Sequence, residues 1–245
     1  MSTDPSNEGM DEAATPEPSP EGLDFSTVIA STVHDMKNSL GLLMQAYERW
    51  SSALPPELAE TAERGMIEYE SMRLNGMLVQ MLGLYKLGVN QLPMRPNWLE
   101  VEDFLQEQLA RHDEILRSRH IESSYDVEED GLMAFLDTEL VGSVVGNVIN
   151  NSIRYARSAI ELKAWTEEGQ LIIAISDDGQ GYPHSMIENQ SDYVLGINMS
   201  TGSTGLGLYF GQRIAELHQR DGVHGRIELR NDGPLGGGEF RIYLP

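Results

Sequence analysis

The chain has 245 residues, 39 of them acidic against 17 basic, and a formal net charge of −22. A field of that sign repels nucleic acid and anionic membrane, so neither is an expected partner. There is no cysteine, which excludes disulfides and thiolate metal sites and suits a reducing, cytoplasmic setting. No apolar run reaches the length of about 20 residues needed to span a bilayer, and the N-terminus lacks a signal-peptide profile.

Residues 1–22 hold four prolines, no Lys or Arg and few apolar groups. Too little can be buried there to offset ordering entropy, so the expectation is a disordered acidic tail. From Asp24 to Trp50 the residues Ile29, Val33, Met36, Leu40, Leu43, Tyr47 and Trp50 recur at alternating steps of four and three. That is the heptad spacing of a helix packed against helices. Pro55 and Pro56 break it. A second helix is expected from Glu57 to about Leu87, with an apolar stripe too wide for one partner. Residues 23–90 thus read as an all-α two-helix hairpin that forms a four-helix bundle on dimerisation. "GVNQLPMRPN" reads as a linker.

Residues 97–245 change character. A helix near Val101–Ser118 precedes the strand-like runs "IESSYDV" and "LMAFLD". A helix from Glu139 to about Tyr155 follows, then the strands "AIELKAWT" and "QLIIAISDD". A glycine-rich loop leads to a helix from Gly205 to about His218, and the strands "GRIELRND" and "EFRIYLP" close the chain. Mixed order of helices and hairpins suggests an α+β sandwich rather than a parallel βαβ repeat.

Four stretches carry chemistry. In "HDMKNSL", His34 and Asn38 share an outward helix face if Val33, Met36 and Leu40 face the core. Neutral imidazole is a nucleophile, Asp35 is a candidate base for its second nitrogen, and Asn38 can orient a water. Such a pair on a helix is more often merely solvated. In "VVGNVINNSIRYA", Asn147 and Asn151 share a face, with Arg154 and Tyr155 a turn later. Amide oxygen is a hard ligand for Mg²⁺, for which Asn151 is the candidate. Arg154 suits phosphate oxygens and Tyr155 a base edge. A polar helix face explains this stretch equally well.

In "IAISDDGQGYP" a strand ends in Asp177, able to accept from an exocyclic amine, with Gly179 and Gly181 allowing close backbone approach. Asp178 reads as a turn residue. In "STGSTGLGLYFGQRI", Thr204, Gly205 and Gly207 open a helix whose free N–H groups suit phosphate. Spacing excludes a Rossmann fingerprint, and a Walker loop would need a Lys after the glycines.

The order of these stretches resembles the two-domain catalytic core of bacterial sensor histidine kinases, over residues 24–245. "HDMKNSL" is similar to the phosphoacceptor box, "NVINNSIRYA" to the asparagine box, "DDGQG" to the aspartate-glycine box and "TGLGL" to the second glycine box. The resemblance implies a homodimeric bundle joined to a GHKL (Bergerat) ATP-binding sandwich, using ATP and Mg²⁺. It implies autophosphorylation of His34, transfer to a response regulator aspartate, and phosphatase activity through Asn38. Ser39 stands where the family usually has proline, and no phenylalanine box is evident between Tyr182 and Thr204. No sensor domain precedes Asp24, so input is expected from a separate sensory protein, the tail or a fusion.

Two other readings compete. One is a histidine phosphotransfer or docking adaptor with a degenerate nucleotide domain. The other is an ATP-binding anti-sigma factor phosphorylating serine, which the histidine-bearing bundle opposes.

Overall fold

The structure is a computed structural model, and it describes residues 25–54, 62–188, 190 and 205–245. The expected acidic tail, the proline break and Thr204 lie outside the described residues. Helices α1 (Phe25–Ser51) and α2 (Ala62–Gly88) form the antiparallel hairpin, with Thr27 of α1 meeting Tyr85 of α2. Within one chain the heptad seam is only half closed. Val33 is buried, and Leu40 and Tyr47 are half-buried. Met36, Leu43 and Trp50 are 54%, 63% and 60% exposed. Met36, expected in the core, therefore faces outward in the single chain. Helix α1 runs through Ser39 without interruption.

The expected linker ends in a strand that the sequence reading lacks. β1 (Asn97–Glu100) pairs antiparallel with β3 (Met133–Leu136) as a separate ribbon. The helix expected over 101–118 is two: α3 (Val101–Ala110) and α4 (Asp113–Ser118). They break at His112, whose buried ring turns inward with Nδ1 2.7 Å from the Gln108 carbonyl oxygen.

The main sheet has strand order β2-β4-β5-β9-β8, with β2 (Glu122–Val127), β4 (Ala159–Glu167), β5 (Gln170–Asp177), β8 (Arg226–Arg230) and β9 (Glu239–Leu244). Three pairings are antiparallel, as hairpin reading predicts, but β2 and β4 are parallel. Helix α5 (Thr138–Tyr155) and helix α7 (Leu206–Leu217) cover one face with α3. A short helix α6 (His184–Glu188) and a minimal hairpin, β6 (Gln219–Arg220) with β7 (Val223–His224), complete the domain. Central strand β5 is buried along nearly its whole length because both faces are covered. Its back face lies under stacked pairs: Arg226 is 3.5 Å from the Tyr243 ring centre and Arg241 5.2 Å from that of Trp165.

Helix α2 joins this core. Tyr69 is buried within it, and its hydroxyl donates to the Asn150 carbonyl at 3.4 Å. The Arg119 guanidinium lies 4.5 Å from the Tyr69 ring centre. Gly83 lets the Phe210 ring approach, since a Cβ there would stand 2.6 Å from Phe210 Cε2. The hairpin that carries His34 is thus packed on α5 and α7, the helices that carry the asparagine and glycine motifs.

Candidate functional site

Asp137 starts α5. Its Oδ1 accepts from Leu140 N at 3.0 Å, capping the first turn. Its Oδ2 accepts from Arg95 N at 2.7 Å, tying down the chain ahead of β1. The buried face of α5, from Val141 through Val148 to Ile153, fixes its rotation on the sheet. That rotation leaves Asn147 half-buried and Asn151, Arg154 and Tyr155 exposed along one edge. Arg154 lies 5.4 Å from the Tyr155 ring centre and has no carboxylate partner among the described residues.

Two motifs meet at the end of β5, and a third packs further along α5. Asp177 is buried, and its Oδ1 accepts from Gly179 N at 2.9 Å and Gly238 N at 3.4 Å. Among the described residues no donor reaches Oδ2. Gly179 is wedged between strand and helix: a Cβ there would stand 2.5 Å from the Tyr155 carbonyl oxygen and 2.7 Å from Asp177 Oδ1. Gly181 has φ +76° and turns the chain back. From the other side, Gly205 caps α7 in the left-handed region at φ 62°, and Gly207 packs directly on the Asn147 amide. The α7 N-terminus, whose first N–H groups have no partner within the helix, is therefore held beside Asn147. The cleft bordered by Trp98, Phe135, Leu244 and Pro245 lies elsewhere and holds none of these residues.

The trio on α1 stands apart from this mouth. His34 is exposed, with Nδ1 3.3 Å from Asn38 Nδ2 and 3.6 Å from Asp35 Oδ1. Among the described residues its Nε2 has no hydrogen-bond partner.

Several residues at the mouth escaped the sequence reading. Asp178 is more than a turn residue. Burial opposes its charge, but donors from Ser158 Oγ and N and from Arg157 N outweigh it and hold its pKa down to about 2. It staples the end of α5 to the end of β5. The run "GPLGGG" is more than a hairpin tip. Gly237 packs on the Asp177 carbonyl oxygen and Gly179 N, and the Gly238 carbonyl accepts from Asp177 N at 2.9 Å. Tyr182 lies beside them; burial and the carboxylates of Asp177 and Glu239 push its hydroxyl above the usual tyrosine range. The one available signal was the density of glycine in "GPLGGGEF".

Residues 136–245 match the model of the histidine kinase-, DNA gyrase B- and HSP90-like ATPase family. The chain is 24% identical over 229 residues to the adaptive-response sensory kinase SasA of Synechocystis sp., covering 89% of this chain and 58% of that protein. It is 28% identical over 236 residues to the sensor histidine kinase CssS of Bacillus subtilis, covering 89% of this chain and 46% of that protein. It therefore spans about half the length of these relatives. Among solved structures, full-length ShkA in complex with AMPPNP superposes with TM-score 0.62 at 18% identity, over 90% of this chain and 46% of that one. The Acinetobacter baumannii histidine kinase AdeS gives TM-score 0.55 at 16% identity, over 91% and 95%. These two likenesses are of fold. No helix among the described residues is long and apolar enough to cross a membrane.

Proposed function

We propose that the chain is a two-component kinase that phosphorylates its own His34 from ATP, a reading supported by its match to the histidine kinase-like ATPase model and by its likeness to sensory kinases. The phosphoryl group then passes to an aspartate on a response regulator. One observation supports this reading: Gly207 at the start of α7 packs on Asn147 and Gly179 beside Asp177 packs on the Tyr155 carbonyl, so motifs spread over 60 residues of sequence lie along one helix, α5.

In that mouth Asp177 Oδ2 accepts from the exocyclic amine of adenine. The N–H groups at Gly205 and Gly207, with Thr204, receive phosphate oxygens, and Arg154, which has no carboxylate partner among the described residues, offers its guanidinium to them. Tyr155 presents its exposed ring to the nucleotide. Mg²⁺ fits the remaining donor: Asn151 is exposed, and its amide has no hydrogen bond among the described residues. No carboxylate or histidine cluster forms a metal cage among the described residues, so Asn151 and the phosphates would share the ion. When bound, Mg²⁺ offsets charge on the phosphates.

The nucleophile is His34 Nε2, because Nδ1 is the nitrogen that faces the Asp35 carboxylate, 3.6 Å away, which favours the ring proton on Nδ1 and leaves the lone pair on Nε2. The Nε2–P bond forms as the bond from the γ-phosphorus to the β,γ-bridging oxygen breaks, and ADP leaves with that electron pair. Asp35 balances the charge on the ring and takes the Nδ1 proton. Asn38, one turn along, is placed to orient a water for the reverse loss of phosphate.

The half-closed seam points to a homodimer. Met36, Leu43 and Trp50 form an exposed column at seven-residue spacing, and α2 presents Ile67, Leu74 and Met81 at the same spacing. A second copy matches both columns and completes a four-helix bundle. A cytoplasmic setting and a separate sensory protein complete the proposal. The test is incorporation of γ-labelled phosphate from ATP into purified protein. Label is expected in the native chain and lost in His34→Ala. A chain that takes label only from a phosphorylated receiver domain is an adaptor instead.

A further inference from the structure

The base end of the mouth depends on a residue that none of the four motifs contains. Asn231 follows β8, and its side-chain amide makes both hydrogen bonds to the backbone of Tyr182. Tyr182 N donates to Asn231 Oδ1 at 2.7 Å, and Asn231 Nδ2 donates to the Tyr182 carbonyl at 2.8 Å. The amide thus copies one rung of a β-ladder and fixes Tyr182 in both directions. Gly181 is shaped for this clip. Its φ is +76°, and a Cβ there would stand 2.7 Å from Asn231 Oδ1.

What the clip holds is the Tyr182 ring. The ring lies against Gly238, where a Cβ would be 3.1 Å from Tyr182 Cε2 and 3.6 Å from Asp177 Oδ2. Ring, glycine and the carboxylate oxygen that no donor reaches among the described residues therefore surround one point. Gly238 supplies no side chain, so the ring is the wall beside the atom that reads the base. A wall free to swing would let other bases, or water, reach Oδ2.

We propose that Asn231 is a positioning residue for nucleobase recognition, acting through Tyr182 to define the wall beside Asp177 Oδ2. This rests on the nucleotide reading given above. A native chain that binds no nucleotide defeats that reading, whereas the comparisons below concern Asn231 alone.

The experiment measures ATP and GTP dissociation constants by competition with a fluorescent ATP analogue, together with KM and kcat for phosphorylation. Asn231→Ala removes both hydrogen bonds of the clip; a coupling to nucleotide binding equal to one hydrogen bond of ordinary strength is about fivefold, so ATP is expected to bind about three- to tenfold more weakly. Its preference for ATP over GTP shrinks, and KM rises with little change in kcat. Asn231→Asp keeps the acceptor for Tyr182 N and loses the donor, and falls between. Tyr182→Ala reproduces the loss of preference. Gln212→Ala is the structural control, because Gln212 Oε1 accepts from Ile227 N at 3.0 Å on the same strand without touching Tyr182. It is expected to leave base preference intact. Unchanged ATP affinity and preference in Asn231→Ala overturns the proposal. So does an equal loss of preference in Gln212→Ala.

Discussion

Replacing Asp177 by asparagine changes one atom at the point proposed to read the base. Oδ1 already serves the loop, accepting from Gly179 N at 2.9 Å and Gly238 N at 3.4 Å. An asparagine can keep its carbonyl oxygen in that place, so the loop holds. Its NH₂ group then occupies the Oδ2 position, where an adenine amine also has only hydrogens to offer. The loss is one hydrogen bond to a charged acceptor, worth about 1.5–3 kcal/mol. That converts to ATP binding weaker by roughly 10- to 150-fold. Isothermal calorimetry with ATP reads the affinity, and circular dichroism with a thermal melt reads the fold. An Asp177→Asn chain that melts as the native one does and binds ATP within about twofold of it refutes the placement of the base.

Further outcomes follow from the same contacts. Burial depresses His112 and His218 below the ordinary histidine value, against the opposing pull of their backbone acceptors at Gln108 and Ile214. Between the folded and unfolded pKa the unfolded chain binds more protons, so stability is full above about pH 6.5 and falls as pH drops below it. Melting curves at a series of pH values check this, and a midpoint that rises on mild acidification contradicts it. Gly237→Ala drives a Cβ into backbone, whereas Gly207→Ala meets the turnable amide of Asn147. Urea unfolding should therefore show the larger loss, about 1–3 kcal/mol, at Gly237; equal losses would count against the packing. Leu43→Lys with Leu74→Lys places charge on both exposed columns. Sedimentation should then give a monomer with ATP affinity unchanged, and a persisting dimer rules out that seam.

Local pattern was enough for the elements that stand on their own residues. Helix α5 is legible because its apolar period and the Asp137 cap agree. Strand β5 is legible as a bounded apolar run, and the α1–α2 hairpin from its heptads and the paired prolines. What was not legible depends on distant partners. β1 forms only because β3 lies beside it, and its own residues are mostly exposed. The break at His112 comes from an inward-turned ring, not from glycine or proline. The parallel pairing of β2 with β4 is a crossover that hairpin spacing cannot reveal. In the site the motif residues were visible as motifs, and the structure joins Asn147 to Gly207 and Gly179 to Tyr155. Asp178, Gly237, Gly238 and Asn231 were hidden, since each acts on backbone contributed by another part of the chain. Met36 is exposed in the single chain because heptad spacing shows that a residue faces a helix but not whether that helix belongs to the same chain.

The function turns on which atom carries phosphate. Incubating the native chain with γ-labelled ATP and Mg²⁺, then digesting under alkaline conditions and locating the modification by mass spectrometry and ³¹P NMR, answers it directly. Acid-labile, base-stable phosphate is expected on Nε2 of His34. Phosphate on a hydroxyl side chain, or bound ATP with His34 left unmodified, would contradict it.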